Sequence, residues 1–253
     1  SMPSNYTAEI IVELEVVKRP LLVTVDSKQS KVYGEVDQTF TFKTDGLMND
    51  VDLTGTLSRE AGESVDTYSV TLGTLNAGSN YLISFTGDTF AITPKTLTVT
   101  ADAVSKTYGD VDPEFTYLAP ELEAGDSLVG SLDREVGEDV GTYAIGLGTL
   151  ANSNYAITFN SDDFTITAKT LTITADAGQT KIYGVTPDPT LTYTTSGLVN
   201  GDTAAVLTGG LTRATGENVD AYAISSSLAN PNYVITFIPA NFTITKKDAS
   251  VTP

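Results

Sequence analysis

The stretch Asn154-Tyr-Ala-Ile-Thr-Phe-Asn-Ser-Asp-Asp-Phe-Thr-Ile-Thr167 decides the fold of this chain. Large apolar residues occupy every second position, first from Tyr155 to Phe159 and then from Phe164 to Ile166. This alternation is typical of strands that bury one face, and the run Asn-Ser-Asp-Asp between the two groups is typical of a turn. The stretch therefore predicts two consecutive β-strands.

The stretch belongs to an internal repeat. A Lys-x-Tyr-Gly sequence opens each copy, and its tyrosines, Tyr33, Tyr108 and Tyr183, are 75 residues apart. Four further features follow in the same order in each copy: an Arg (Arg59, Arg134, Arg213), a Gly-Glu-x-Val-x-x-Tyr segment ending at Tyr68, Tyr143 and Tyr222, an Asn-Tyr pair (80–81, 154–155, 232–233) and a closing Phe-x-Ile-Thr (90–93, 164–167, 242–245). A fixed period of this size indicates a tandem array of small modules.

Domain boundaries follow from the repeat. Residues 19–94, 95–168 and 169–247 form repeats 1, 2 and 3. We expect residues 1–18 to be a cloning remnant (Ser1-Met2) followed by the last strand of a truncated preceding repeat, and residues 248–253 to be a tail into the next segment.

The strand pattern predicts an all-β fold. Clusters of Gly, Asn, Asp and Ser separate the alternating segments at spacings of roughly 8 to 12 residues, as in a sandwich or barrel. We expect three tandem small β-sandwich-like modules, Ig-like or β-grasp-like, in an extended rod. We also expect one helical turn within Gly125–Leu132 and a tyrosine corner within Gly137–Tyr143, in which the Tyr hydroxyl bonds back to the turn upstream.

The junction between repeats and the strand register give further expectations. From Phe164 to Thr174 the chain contains no Gly or Pro, so the junction should be short and stiff. Its apolar positions change there from even to odd numbers, which requires either a core on the other side or a bulge near Lys169.

The strand that follows each Asn-Tyr pair should turn its apolar positions inward, because a one-residue slip would bury hydroxyls and expose aromatic rings. These inward residues are Tyr81, Ile83, Phe85, Tyr155, Ile157, Phe159, Tyr233, Ile235 and Phe237. On this basis Phe159→Ala should cost about 3–5 kcal/mol.

Composition excludes several classes of function. The 253 residues include 32 acidic and 14 basic residues, with a formal net charge of −18, which excludes nucleic acid and disfavours direct contact with anionic membranes. The chain has no Cys and no His, and no Gly-x-Ser-x-Gly segment of the kind that carries a nucleophile. Its carboxylates lie mostly in turns of modules too small for a deep cleft. We predict no enzyme activity, no catalytic residues and no cofactor.

Acidic turns are the candidate metal site. Four carboxylates of repeat 2 could supply oxygen ligands to calcium: Asp110, Asp112, Asp162 and Asp163. The residues equivalent to Asp110 in the other repeats are Glu35 and Val185, so the set is not shared. Solvated turns are the favoured interpretation, and no metal site is assigned.

The recurring lysines and tyrosines each allow two interpretations. Lys31, Lys106 and Lys181 could form intramolecular Lys–Asn isopeptide bonds, but a lysine that extends along a strand surface is the simpler explanation. The 12 tyrosines could stack on sugar rings where exposed, but core packing is favoured for most of them.

The Lys-x-Tyr-Gly opening, a Gly-Asp near the middle and the Asn-Tyr…Phe-x-Ile-Thr close resemble the MBG domains of bacterial surface proteins, the YGX type in particular, and are similar to YDG-type repeats. The resemblance covers nearly the whole chain. It implies cell-wall-attached or secreted adhesins, with mucin or other host and matrix glycans as partners. Asp37-Gln38 replaces the Asp112-Pro113 of repeat 2, and repeat 3 has an extra residue before Asp188; both departures argue against the opening loop as a site.

Two functions follow from these observations. Acidic and basic residues number 10 and 5 in repeat 1, 13 and 3 in repeat 2, and 5 and 5 in repeat 3, so the net charges are −5, −10 and 0. Such divergence favours an extracellular stalk or spacer, a monomeric segment of a longer chain that presents a distal binding domain. The alternative is that the repeats themselves bind mucin-type glycan, with or without calcium.

Overall fold

Strands form nearly all the regular structure of the chain. The computed structural model describes residue 10 and residues 12–249. Within that part the fold is all-β, as predicted, and it contains three copies of a seven-stranded module. The described residues include no helix long and apolar enough to cross a bilayer. The last strand of a preceding repeat was predicted within residues 1–18; residues 12–18 are not in a strand, and the others, apart from residue 10, lie outside the described residues.

Repeat 1 consists of a three-stranded and a four-stranded sheet, with strand orders β3-β1-β6 and β2-β7-β5-β4. Its strands are β1 Arg19–Val25, β2 Gln29–Val32, β3 Phe42–Asp45, β4 Ser58–Arg59, β5 Asp66–Thr71, β6 Tyr81–Thr86 and β7 Thr89–Thr93. Strand β1 is antiparallel to β3 and parallel to β6. Strand β7 is parallel to β2 and antiparallel to β5.

Repeats 2 and 3 have the same two sheets, ordered β10-β8-β13 with β11-β12-β14-β9, and β17-β15-β20 with β16-β21-β19-β18. The strands of repeat 2 are β8 Lys95–Ala101, β9 Val104–Thr107, β10 Tyr117–Leu118, β11 Asp133–Arg134, β12 Gly141–Gly146, β13 Tyr155–Asn160 and β14 Asp163–Thr167. Those of repeat 3 are β15 Lys169–Ala175, β16 Thr180–Ile182, β17 Tyr193–Ser196, β18 Leu211–Arg213, β19 Ala221–Ser226, β20 Tyr233–Ile238 and β21 Asn241–Thr245.

The modules are sandwich-like, as predicted, with two sheets in each repeat. The only helical element among the described residues is one short 3-10 turn, η1, at Ala204–Val206. The helical turn predicted within Gly125–Leu132 is therefore absent from repeat 2, but a turn forms at the equivalent place in repeat 3. Repeat 3 has eight residues from Asp202 to Gly209 where repeat 2 has five from Asp126 to Gly130, and the extra residues form the turn.

Alternating residues from both sheets form the hydrophobic core of each repeat. In repeat 1, Leu21 and Val23 of β1 belong to the same buried cluster as Phe90 and Ile92 of β7. The equivalent residues are buried in the other repeats: Leu97, Val99, Phe164 and Ile166 in repeat 2, and Leu171, Ile173, Phe242 and Ile244 in repeat 3.

A single residue connects successive repeats. Strand β7 ends at Thr93 and β8 begins at Lys95, and β14 ends at Thr167 before β15 begins at Lys169. The change in apolar parity coincides with this connection. Phe164 pairs with strands of repeat 2, whereas Leu171 pairs with β20 of repeat 3, so the two sets of apolar residues serve different repeats.

The described chain forms two compact units whose limits do not coincide with the repeats. The first contains residues up to 97 together with 121–127 and 151–158 of repeat 2. The second contains 98–120, 128–150 and the residues from 159 onward. The first unit thus combines repeat 1 with three segments of repeat 2, residues 95–97, 121–127 and 151–158, and the second combines repeat 3 with the remainder of repeat 2.

The predicted strand register is confirmed, but the predicted burial is too great. Tyr155 is buried, while Ile157 and Phe159 are half-buried, and the residues between them are exposed. The same pattern occurs in β6 and β20. Because Phe159 keeps contact with solvent, the cost expected for Phe159→Ala was too high.

Phe164 is the better site for a core truncation, because its side chain is fully buried and lies edge-on to Phe115, with ring centroids 5.7 Å apart. We expect Phe164→Ala to lower the free energy of unfolding by about 3–5 kcal/mol. The matched control is Phe159→Ala. It removes a half-buried ring and should lower the free energy of unfolding by at most about 2 kcal/mol. Urea unfolding of both variants measures the difference, and equal losses would contradict the register described here.

Candidate functional site: the joint between repeats

A cluster of charged side chains lies in each repeat, with the side chains of its lysine and arginine largely buried and its carboxylates partly exposed. In repeat 2, Lys106 of β9 contacts Asp112 at 2.6 Å and Glu138 at 2.5 Å. Arg134 of β11 contacts the same two carboxylates, at 2.6 Å and 2.5 Å. We call these four residues the ion quartet. Its two positive and two negative charges balance, and the Lys106 side chain is only 4% exposed.

The quartet is repeated with the same partners throughout the chain. It comprises Lys31, Arg59, Asp37 and Glu63 in repeat 1, and Lys181, Arg213, Asp188 and Glu217 in repeat 3. The guanidinium also covers the core, since Arg134 lies 4.6 Å from the ring centroid of Phe164. Such a cation–π contact adds to the stability of a buried guanidinium.

The quartet keeps all four groups charged. Burial opposes the charged form of Lys106, but its bonds to Asp112 and Glu138 outweigh burial and raise the pKa of the ammonium. The hydrogen bond from Arg134 is the main cause of the lowered pKa of Asp112, and the bond from Lys106 has this effect on the pKa of Glu138. In repeat 3 the bonds from Arg213 and Lys181 lower the pKa of Asp188 to about 2.

Three interpretations of the sequence are corrected by the quartet. The lysines do not extend along a strand surface; they are buried, and two carboxylates that they share with an arginine accept from each ammonium. Their partners are carboxylates held in the ionised form, not the Asn that the isopeptide alternative requires. The departures in the opening loop do not disable it, because Asp37, Asp112 and Asp188 make the same contacts.

The four candidate calcium ligands are not brought together. Asp112 is in the quartet, and Asp110 lies 3.6 Å from Lys169. Asp162 accepts a bond from the backbone N–H of Asp163, which is an ordinary turn contact. In the described part of the chain no three such side chains form a cluster able to hold a metal ion.

The tyrosine corner is present in all three repeats. The Tyr143 hydroxyl donates to the carbonyl of Asp139 at 2.8 Å. Tyr68 and Tyr222 make the same bond to Ser64 and Asn218. This bond anchors the turn that carries the quartet glutamate, which lies between Gly137 and Asp139 in repeat 2.

The tyrosine of the Lys-x-Tyr-Gly segment reaches into the next repeat. The Tyr33 hydroxyl donates to Asp126 at 3.0 Å, and Tyr155 donates to the same carboxylate oxygen at 2.5 Å. The rings of Tyr33 and Tyr155 pack edge to face, with centroids 5.5 Å apart. Asp126 therefore joins one tyrosine from each repeat.

The next pair of repeats makes the same contacts. Tyr108 donates to Asp202 at 3.1 Å and Tyr233 donates to it at 2.6 Å. The two rings are again edge to face, with centroids 5.4 Å apart. Burial, together with the adjacent carboxylate, raises the pKa of Tyr155 and of Tyr233 to about 12, so both hydroxyls remain protonated donors.

An asparagine completes the contact. The backbone N–H of Val65 donates to the side-chain oxygen of Asn154 at 2.9 Å, and that of Val140 donates to Asn232 at 2.8 Å. Asn232 also donates from its amide to Asp139 at 2.8 Å. We call this set of residues the joint. It consists of the tyrosine of Lys-x-Tyr-Gly and the valine of Gly-Glu-x-Val in one repeat, together with the Asp, Asn and Tyr that they contact in the next repeat.

The quartet positions the joint. Lys31 lies two residues before Tyr33, and Glu63 lies two residues before Val65. Because Lys31 and Glu63 bind each other, the two segments that face the next repeat are tied together. The repeated sequences Lys-x-Tyr-Gly and Gly-Glu-x-Val thus encode a quartet residue and a joint residue at fixed spacing.

Sequence reasoning found every one of these segments but not their contacts. Core packing was predicted for most tyrosines, but among the described residues only four are buried: Tyr81, Tyr108, Tyr155 and Tyr233. The burial of Tyr108, however, comes from the next repeat. One feature of the sequence could have shown this contact. An Asp and an Asn recur in the repeats alongside the tyrosines, although the repeats differ in net charge.

Fold and joint together define a class, the all-β tandem-repeat proteins in which each module contacts its neighbours. The sequence pattern of the MBG domain (YGX type) matches residues 21–91, 97–165 and 171–243, and the chain belongs to this family. The match supports a repeat region of a surface protein. No curated protein matches the chain.

The hydroxyl of the joint tyrosine gives a first test. We expect Tyr108→Phe to lower the free energy of unfolding by about 1–2 kcal/mol, because the hydrogen bond to the Asp202 carboxylate is lost while the ring stays. Tyr183→Phe is the matched control in repeat 3, where the residue is 49% exposed, and it should change the free energy of unfolding little. Urea denaturation compares the two, and equal effects would count against the joint.

The quartet gives a test in acid. The pKa of Asp188 is about 2 in the folded chain against an ordinary 3.8, so its contribution to stability is complete above pH 3.8 and is lost as the pH falls toward 2. Asp188→Asn should destabilise the chain at pH 7 and show a shallower decline between pH 4 and 2. Unfolding curves of both proteins across this pH range measure the difference. An equal decline in their stability would contradict the lowered pKa of Asp188.

Proposed function

We propose that the chain is the repeat region of a bacterial cell-surface or secreted adhesin and acts as a stalk that presents a distal binding domain. The observation that supports this most is the joint, whose contacts occur twice with the same residue types. A spacer needs neighbouring modules to keep a defined orientation, and a one-residue connection with several side-chain bonds serves that need. In such arrays stability is approximately the sum of local and nearest-neighbour terms.

The distribution of charge supports the same proposal. Net charges of −5, −10 and 0 on the three repeats mean that the exposed surface varies, while the quartet and the joint recur. In repeat 3, Lys181, Arg213, Asp188 and Glu217 account for four of its ten charged residues. Internal structure is therefore what the repeats share, as a spacer requires.

Solution scattering tests the stalk. A compact globule of this length has a radius of gyration of about 18 Å, and we expect a clearly larger value for the chain. The double variant Tyr33→Ala, Tyr108→Ala should broaden the distance distribution, because both joints lose their aromatic contact. A value near that of the globule for the unaltered chain would refute the proposal.

Glycan binding by the repeats is a second candidate, favoured by one observation. Open grooves of about 690 Å³ in repeat 3 and about 670 Å³ in repeat 1 lie beside the quartet at equivalent places. Each contains an aromatic ring, Tyr193 or Phe40, with hydroxyl side chains around it. The net charge of −18 disfavours acidic sugars, so neutral glycans or a bridging cation would be required.

A glycan array with and without calcium tests this candidate. Binding by the grooves should be lost in the combined variant Tyr193→Ala, Phe40→Ala, while Tyr183→Ala, which removes an exposed ring away from the grooves, should keep it. Binding that survives the groove variant would rule out the grooves as the site.

A further inference from the structure

In each joint, the tyrosine and valine of one repeat are covered by the next repeat. The corresponding surface of repeat 3 is exposed. Tyr183 is 49% exposed, whereas its equivalent Tyr108 is 6% exposed. Val219, the equivalent of Val65 and Val140, is 43% exposed. We call Tyr183, Gly184 and Val219 the terminal face.

The glycine of the same segment gives an independent measure. A side-chain carbon at Gly34 would lie 2.6 Å from Glu123, and one at Gly109 would lie 2.3 Å from Val199. Both neighbours belong to the following repeat. A carbon at Gly184 would meet nothing within 4 Å. The terminal face thus corresponds to the surface that fits closely against the next repeat in each joint, but no neighbour among the described residues covers it.

The terminal face is also held in place. Lys181 and Glu217 contact each other at 2.5 Å, and each lies two residues before a member of the face, Tyr183 or Val219. Repeats 1 and 2 use the same arrangement to present their joint residues. No ordering of this segment is needed before a partner binds, which lowers the cost of docking.

We propose that the terminal face docks a further repeat of the same polypeptide, beginning at Lys247. The connection agrees with the two that are present, because β21 ends at Thr245 and one residue, Lys246, precedes Lys247. In sequence, Lys247-Asp-Ala-Ser-Val-Thr252 corresponds to Lys169-Thr-Leu-Thr-Ile-Thr174, with apolar residues at the same alternate positions.

The chemistry of the joint specifies this repeat. It must carry an Asp to accept from Tyr183, an Asn to accept from the N–H of Val219, and a Tyr to pack against the Tyr183 ring. A second copy of this chain meets the requirement poorly through repeat 1. There the position of Asp126 is occupied by Val51, whose N–H donates to Met48 as that of Asp126 donates to Glu123.

The test extends the full chain after Lys247 with a second copy of residues 170–247 and follows the exchange of the Val219 amide hydrogen by NMR. We expect exchange to slow at least about fivefold, toward the rates of Val65 and Val140, because an Asn oxygen now accepts that bond. Docking at this face does not depend on whether the array acts as a stalk, and scattering and exchange report on the two separately.

The matched control carries Asn232→Ala in the appended copy only and should lose the protection of Val219. An unchanged rate at Val219 while the appended copy is folded would overturn the proposal. Protection that rises with the concentration of the unextended chain would also overturn it, in favour of docking between molecules. If the first extension does not fold, residues 96–168 replace it, and failure of both to fold on this face would equally refute docking.

Discussion

The ion quartet is the interaction on which the rest of the structure depends. Bringing a lysine and an arginine out of water is costly, and their attraction to carboxylates offsets this only when the geometry satisfies every group. Here Lys106 and Arg134 share two carboxylates, and the guanidinium also lies over Phe164. The same four residues connect the opening loop, two strands and the Gly-Glu turn, so one cluster orders the parts of the module that have little regular structure.

That ordering has a consequence beyond the module. Modules of about 75 residues bury limited apolar surface and are marginal alone, so contacts with neighbours contribute to their stability. The joint supplies them with few residues, because the carboxylate of Asp126 accepts from both Tyr33 and Tyr155. Surface charge is free to vary, as the repeats show.

The fold could be predicted largely from the sequence, and the site could not. Alternation at Tyr155 and Phe164 indicates strands and register because it reflects burial on one face, a local property. Lys106 was misjudged because its burial depends on Asp112 and Glu138, six and 32 residues away in sequence, which no local pattern reveals. The half-burial of Phe159 similarly depends on how the sheets close. Contacts between repeats are more distant still, since Tyr33 meets Asp126 across 93 residues.

The quartet positions the joint, and amide hydrogen exchange in Lys106→Met tests this dependence most directly. Met keeps the apolar stem and removes the charge, so the core should persist, and the N–H of Ile145, which donates to Asp162 within repeat 2, should remain protected. We predict faster exchange at Val140, whose N–H donates to Asn232 of the next repeat. Unchanged exchange at Val140 in a folded Lys106→Met chain would contradict it.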